Sequence, residues 1–254
     1  MLSNAMVERI AGGDAKHRVS TKTINMKTII ITGADGNLGT TVTKTFLDEG
    51  YQVIATVSRE ASKEKVPDHP QLDVHAVDLT DEDATSAFII SVIEKYQTID
   101  AALLLVGGFA VGDIEATSGA DLKKMYALNF ETAYYVARPL FAHMKENGKG
   151  RIVFIGSRPA LKPADGKAMV AYALSKSLLF NLAELMNQDA KKTNVVTTVV
   201  VPSTIDTPVN RDAMPGADPA NWVKPQQLAD IMKFICSDTA DVLRETVLKV
   251  YNNA

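Results

Sequence analysis

The feature that most constrains this chain is an alternation. Short, continuously apolar runs rich in β-branched residues take turns with stretches of helical spacing. The apolar runs are 27–32 (KTIIIT), 51–57 (YQVIATV), 72–77 (LDVHAV), 101–106 (AALLLV), 151–155 (RIVFI) and 195–201 (VVTTVVV), with 246–251 as a closing strand. Strands apolar on both faces belong to a sheet covered on both sides. Between them, 38–49, 82–96, 121–146, 171–189 and 225–236 carry apolar residues at helical spacing, with Pro139 expected to kink the longest of them. Strand–helix alternation predicts an α/β fold with a doubly wound parallel sheet. Residues 202–224, with Pro202, Pro208, Pro215 and Pro219, read as one long irregular loop, the kind that often serves as a lid.

The motifs below fall on one continuous sheet, so 27–254 reads as a single Rossmann-like domain. Residues 1–26 lack an apolar core and precede the abrupt start of the fold signal at Lys27. Ser3-Asn4-Ala5 before Met6 resembles the scar of an expression tag, and the rest of 1–26 reads as a flexible extension. The net charge of −3 shows no basic surplus, which argues against a nucleic-acid partner. The apolar runs are strand-length, so no membrane partner is expected. One cysteine, Cys236, cannot form an internal disulfide, which fits a reducing, cytoplasmic setting. The four histidines (His17, His69, His75, His143) show no paired spacing, so no metal site is expected.

The first strand runs into Thr32-Gly33-Ala34-Asp35-Gly36-Asn37-Leu38-Gly39, and a helical pattern follows. A glycine turn there brings backbone close to a pyrophosphate, which the free N–H groups of the helix N-terminus then face. The second strand ends in Thr56-Val57-Ser58-Arg59, without the carboxylate that would meet a ribose 2′-hydroxyl. Ser58 and Arg59 suit a 2′-phosphate instead and lean toward NADPH.

Residues 171–176 read Ala-Tyr-Ala-Leu-Ser-Lys, which puts Tyr172 and Lys176 on one helix face. A tyrosine titrates near about 10, and a neighbouring ammonium is expected to lower that value and make the pair an acid/base. Ser157 follows the fifth strand, at the sheet edge where such folds bind ligands, and could hold a reacting oxygen. Asn129, in the long helix, could anchor a water beside Lys176.

On the glycine turn, Asp78 after the third strand, Asn129, Ser157, Tyr172 with Lys176, and Pro202 to Thr207, the chain resembles the short-chain dehydrogenase/reductase family over about 27–251. The resemblance implies an NAD(P)-dependent oxidoreductase acting on a small molecule, the alternative from another class being a non-catalytic dinucleotide-binding sensor on the same fold. Tyr172 would be the acid/base, Lys176 would tune it and bind the nicotinamide ribose, Ser157 would hold the substrate oxygen, and Asn129 would support a proton relay. Asp78 and Leu79 would flank the adenine and Thr207 would meet the carboxamide. Pro202, Thr204, Val106, Gly107 and Gly108 would complete the cofactor site.

Departures are visible. Two residues, rather than three, separate Gly33 from Gly36. Leu104-Leu105-Val106-Gly107 replaces Asn-Asn-Ala-Gly, and Pro202-Ser203 replaces Pro-Gly. Together with Val106-Gly107-Gly108-Phe109 and 202–222 (PSTIDTPVNRDAMPGADPANW), these departures are similar to dihydropteridine reductases. That similarity implies a pterin substrate and a preference for NADH, while the full set of catalytic residues suits carbonyl or 3-oxoacyl reduction equally. Phe109, Arg158, Met169, Met214 and Trp222 are candidates to line the substrate side, with Phe109 and Trp222 stacking on a flat ring. A homodimer or homotetramer is implied, built on 121–146 and 171–189, where Tyr134, Tyr135, Phe141, Leu178, Leu179 and Phe180 supply apolar surface.

Overall fold

The computed structural model describes residues 26–253, so the reading of the first 26 residues falls, all but Met26, outside the described residues. The β-branched runs become β1 (Thr28–Thr32), β2 (Gln52–Val57), β3 (Leu72–Ala76), β4 (Ala101–Leu104), β5 (Lys149–Ile155), β6 (Asn194–Pro202) and β7 (Val247–Val250). Among the described residues they form one parallel sheet in the order β3-β2-β1-β4-β5-β6-β7. The order reverses between β1 and β4, and the crevice outside the carboxyl ends of the strands at such a point is where open α/β sheets bind ligands.

Alternate residues of each strand face opposite helical layers. Ile30, Ile54, Ala102, Ile152 and Phe154 pack on α2 (Glu82–Tyr96), α4 (Thr132–Glu146) and α6 (Val170–Asp189), through Phe88, Val136, Leu140, Leu179 and Ala183. Ile29, Ile31, Val53, Leu103 and Val153 pack on α1 (Gly39–Asp48) and α8 (Pro225–Ile235), through Val42, Phe46, Leu228 and Met232. Burying each of these large side chains contributes roughly 1.5–3 kcal/mol.

Three expectations are corrected. The fourth strand stops at Leu104, because the next two N–H groups leave the ladder and turn to the Thr32 hydroxyl: Leu105 N donates to Oγ1 at 2.9 Å and Val106 N at 3.4 Å. The long helix is a rod in three parts, α3 (Gly119–Tyr126), a π turn (Ala127–Glu131) and α4. Pro139 lies inside α4, and the break in the hydrogen-bond pattern lies upstream, where Thr132 N donates to Ala127 O. The loop 202–224 is a structured flap. It holds α7 (Pro208–Ala213), entered through the Thr207 cap with Pro208 in its first turn, and a 3₁₀ turn at Pro219–Asn221. The short helix α5 (Arg158–Leu161) also went unforeseen.

Candidate active site

The glycine turn is built by steric necessity. Gly33 has φ +66, and a Cβ there would stand 3.1 Å from Val106 Cγ2. A Cβ on Gly39 would lie 2.0 Å from Gly33 O, so the start of α1 packs directly on the turn. Leu38 gives α1 no side-chain cap, and no acidic residue stands in its first turn. Its positive dipole end therefore meets no side-chain cap or carboxylate, although Thr40 N is taken by Gly36 O at 3.0 Å.

Beside the turn lies a cleft of about 290 Å³. The structure brings Gly33, Asp35, Gly36, Ser58, Asp78, Leu79, Val106 and Gly107 to its wall, all of them named from the sequence. Thr56, Val57, Val77, Thr80, Leu105, Leu128 and Thr132 join them. These were missed because nothing but position marks them: most sit at the carboxyl ends of adjacent strands. Asn37 and Arg59 stand exposed outside the lining, Arg59 one residue beyond Ser58, while Leu38, Gly39 and Gly108 support the turn and the wall. Asp78 accepts from Thr80 N at 3.0 Å and Thr80 Oγ1 at 2.6 Å, which holds its carboxyl below the usual range.

Farther along the same edge, β5 and α6 bring Ser157, Tyr172 and Lys176 together. Ser157 hydrogen-bonds Tyr172 and also caps α5, accepting from Ala160 N at 3.4 Å. Lys176 is buried and donates from Nζ to Ile155 O at 2.9 Å. Asn129 is fully buried in the π turn. Its Oδ1 accepts from Gly108 N at 2.8 Å and its Nδ2 donates to Ser175 Oγ at 2.9 Å, which in turn donates to Tyr172 O at 2.9 Å. A Cβ on Gly107 would lie 2.7 Å from Asn129 Oδ1 and 2.9 Å from Lys176 Nζ, so glycine is needed where the cleft wall meets these two side chains.

The electrostatics correct one expectation. Burial pushes the Tyr172 phenol above its ordinary value, and the Ser157 hydrogen bond only opposes that rise. The expected depression by Lys176 is not seen, because that ammonium is turned to the Ile155 carbonyl. Burial lowers Lys176 itself from 10.5 to about 8. Near neutral pH the phenol is thus protonated and able to give a proton, the state a general acid requires.

On the substrate side, Phe109 is 63% exposed and stands edge-on to Tyr172, ring centroids 5.0 Å apart. Trp222 is only 4% exposed, so it is an interior residue and not a face offered to a substrate. Arg158 and Met169 are half-buried and Met214 is exposed on the flap. Pro202 ends β6, buried, and Thr204 is half-buried at the flap root. Thr207 Oγ1 accepts from Asn210 N at 3.2 Å as the cap of α7. None of these three lines the cleft. Among the described residues no His/Cys/Asp/Glu group is placed to hold a metal, and no helix is long and apolar enough to cross a membrane.

Comparison with known proteins gives the following. The family described as short chain dehydrogenase matches residues 27–217. The chain is 25% identical over 251 residues to the uncharacterized oxidoreductase YvrD of Bacillus subtilis, covering 88% of this chain and 94% of that one. It is 29% identical over 190 residues to an acetoacetyl-CoA reductase of Acinetobacter sp., covering 72% and 76%. A solved structure, ElxO with NADP bound, superposes with a TM-score of 0.83 at 19% identity, covering 89% and 97%, and so shares the fold.

Proposed function

The chain belongs to the short-chain dehydrogenase/reductase family of NAD(P)-dependent oxidoreductases, and from that premise we propose that it is an NADPH-dependent reductase of small carbonyl compounds, with Tyr172 as the proton donor. The observation that carries this reading is the protonated, half-buried Tyr172 bonded to Ser157 at the open sheet edge, with Lys176 and Asn129 buried behind it.

The dinucleotide fits the cleft. Gly33 and Gly39 leave the backbone bare where a Cβ would clash, and the uncapped α1 N-terminus suits a pyrophosphate. Ser58 on the wall and Arg59 beside it suit a 2′-phosphate, which favours NADPH over NADH. Asp78 and Leu79 would flank the adenine. Pro202, Thr204 and Thr207 lie along the flap root, and Thr207 would meet the nicotinamide carboxamide. When bound, the reduced nicotinamide supplies a hydride.

The chain's own residues do the rest. Ser157 orients the carbonyl oxygen, and the Tyr172 hydroxyl gives its proton to that oxygen as negative charge develops there. Lys176, held on the Ile155 carbonyl beside Gly107, would meet the nicotinamide ribose. Asn129 holds Gly108 and, through Ser175, the backbone of Tyr172, so it fixes the cleft wall and the acid in one frame. The similarity to an acetoacetyl-CoA reductase supports an oxoacyl or related ketone.

A pterin reductase is the second reading. It is favoured by the flap sequence 202–222 and by the exposed ring of Phe109 over Tyr172, while burial of Trp222 removes one of the two rings once expected to stack on a flat substrate. The test follows NADPH and NADH oxidation with acetoacetyl-CoA, a panel of ketones and quinonoid dihydropterin. Brisk turnover of pterin alone would refute the carbonyl reading.

A homo-oligomer is supported by Leu122, Tyr126 and Leu174, exposed along a groove between α3 and α6. Leu179, expected on that surface, packs in the core. Light scattering tests this association, and a cytoplasmic location is proposed from the lone cysteine, whose thiol is buried.

A further inference from the structure

Where family members carry Pro-Gly after the sixth strand, this chain carries Pro202-Ser203, and the added hydroxyl has a partner. Ser203 Oγ donates to Tyr251 O at 2.6 Å, beside the backbone bond from Ser203 N to Val250 O at 3.0 Å. One residue on, Asn252 adopts φ +52, in the left-handed region, and donates from Nδ2 to Trp222 O at 3.0 Å and Ala220 O at 3.3 Å. Between them the Tyr251 ring carries the Arg158 guanidinium, 5.8 Å from its centroid. The segment following β7 therefore grips the flap where it leaves β6, grips it again where it returns, and touches the residue next to Ser157.

The flap itself is pinched at its neck. Asp206 N donates to Val223 O at 2.8 Å and Val223 N donates to Thr204 O at 2.9 Å, while 211–218 stand exposed beyond. A loop closed at its neck moves as a unit, and its swing is set by what holds the neck. Nothing in the catalytic cluster does so: Ser157, Tyr172, Lys176 and Asn129 make no hydrogen bond with 203–223 among those described.

We propose that Ser203, Tyr251 and Asn252 form a strap that fixes the neck of the flap and so governs opening of the substrate side. They are positioning residues and take no part in proton transfer. The strap rests on the reductase reading only for what the flap covers, so it is read without turnover.

Trp222 is the single tryptophan and its carbonyl accepts the Asn252 bond, so its emission reports on the neck directly. The intact protein and its Asn252→Ala, Ser203→Ala and Ser203→Thr variants are treated with subtilisin under native conditions, and cleavage within 208–218 is followed by mass spectrometry. Loss of the one Ser203 bond should speed cleavage about fivefold, and loss of the two Asn252 bonds at least as much, because cleavage of a briefly opened segment tracks its open population. Trp222 emission should shift to longer wavelength in both, with the global melting temperature lowered by no more than about 2–4 °C for each bond lost. Ser203→Thr, which keeps the hydroxyl, should cleave at the wild-type rate.

Release of bound phenanthrenequinone, the probe ketone, followed by stopped-flow fluorescence, should quicken about fivefold, because escape past a briefly opened flap tracks its open population. Unchanged cleavage and emission in both alanine variants would overturn the strap. If Asn252→Ala fails to fold, the Ser203 pair decides. Faster cleavage with quinone release unchanged would overturn its control of the substrate side. Absence of turnover on this probe would count against the reductase reading, and the cleavage arm would still decide the strap.

Discussion

Lys176 carries a charge in a place that opposes it, and replacing it by methionine should make the protein more stable while disabling it. The side chain is 5% exposed, and burial alone takes the ammonium from 10.5 to about 8. At about 1.4 kcal/mol per pH unit, that displacement corresponds to roughly 3 kcal/mol held against the folded state whenever the lysine is charged. Methionine is unbranched and close in length, so it should fill the same space, and no charge is buried. The Ile155 carbonyl loses its 2.9 Å partner, which costs about 1 kcal/mol. Near neutral pH the variant should therefore be more stable by about 2 kcal/mol, or roughly 4–8 °C in melting temperature for a domain of this size. The folded-state value lies below the unfolded one, so between about 8 and 10.5 the unfolded wild type binds the extra proton and wild-type stability rises with pH. The advantage of the variant should shrink through that window and end in a small deficit above it. Urea unfolding of both proteins near neutral pH and at about pH 10 measures it. A variant less stable at neutral pH, or an advantage equal at both, would refute the buried-charge account.

Tyr172→Phe should lower kcat by roughly a hundred- to ten-thousandfold with NADPH affinity retained by fluorescence titration, since a phenyl ring packs equally well and only the proton donor is lost. Gly107→Ala would set a methyl 2.7 Å from Asn129 Oδ1 and 2.9 Å from Lys176 Nζ, so kcat should fall at least about tenfold with the fold intact by circular dichroism. Asn129→Ala leaves Gly108 N and Ser175 Oγ each short of a partner, which should cost about 1–3 kcal/mol in urea unfolding. Arg59→Ala should raise KM for NADPH about tenfold and leave NADH unaffected; equal loss for both would remove Arg59 from cofactor selection.

The layers of the fold could be read because each strand is apolar on both faces, and the glycine turn because only glycine tolerates Gly33's φ and Gly39's contact with the backbone. Ser157, Tyr172 and Lys176 were legible for a similar reason: spacing along one helix and one strand end fixes where they meet. The sense of Tyr172's titration was not legible. It depends on where the lysine ammonium points, and helical spacing puts two residues on one face without aiming either side chain. Trp222 misled because an indole in a proline-rich loop reads as surface, whereas the flap folds back on itself and buries it. The threonines of the cleft left no mark because Thr56 and Thr132 are marked by position alone and Thr80 by its hydrogen bonds to Asp78.

The π turn at Ala127–Glu131 has one further consequence. Each residue of an α-helix advances the winding by about 100°, so a wider turn offsets the angular phase of everything before it relative to everything after. In this rod the later half is keyed to the sheet through Val136, Leu140 and Met144, and the earlier half turns Met125 inward toward Asn129. Both halves can face inward only because the phase slips between them. A chain shortened by one residue here could wind as a plain α-helix, but it would then have to give up one keying or the other. The turn thus joins two inward-facing halves of different phase, one seated on the hydrophobic core and the other beside Asn129.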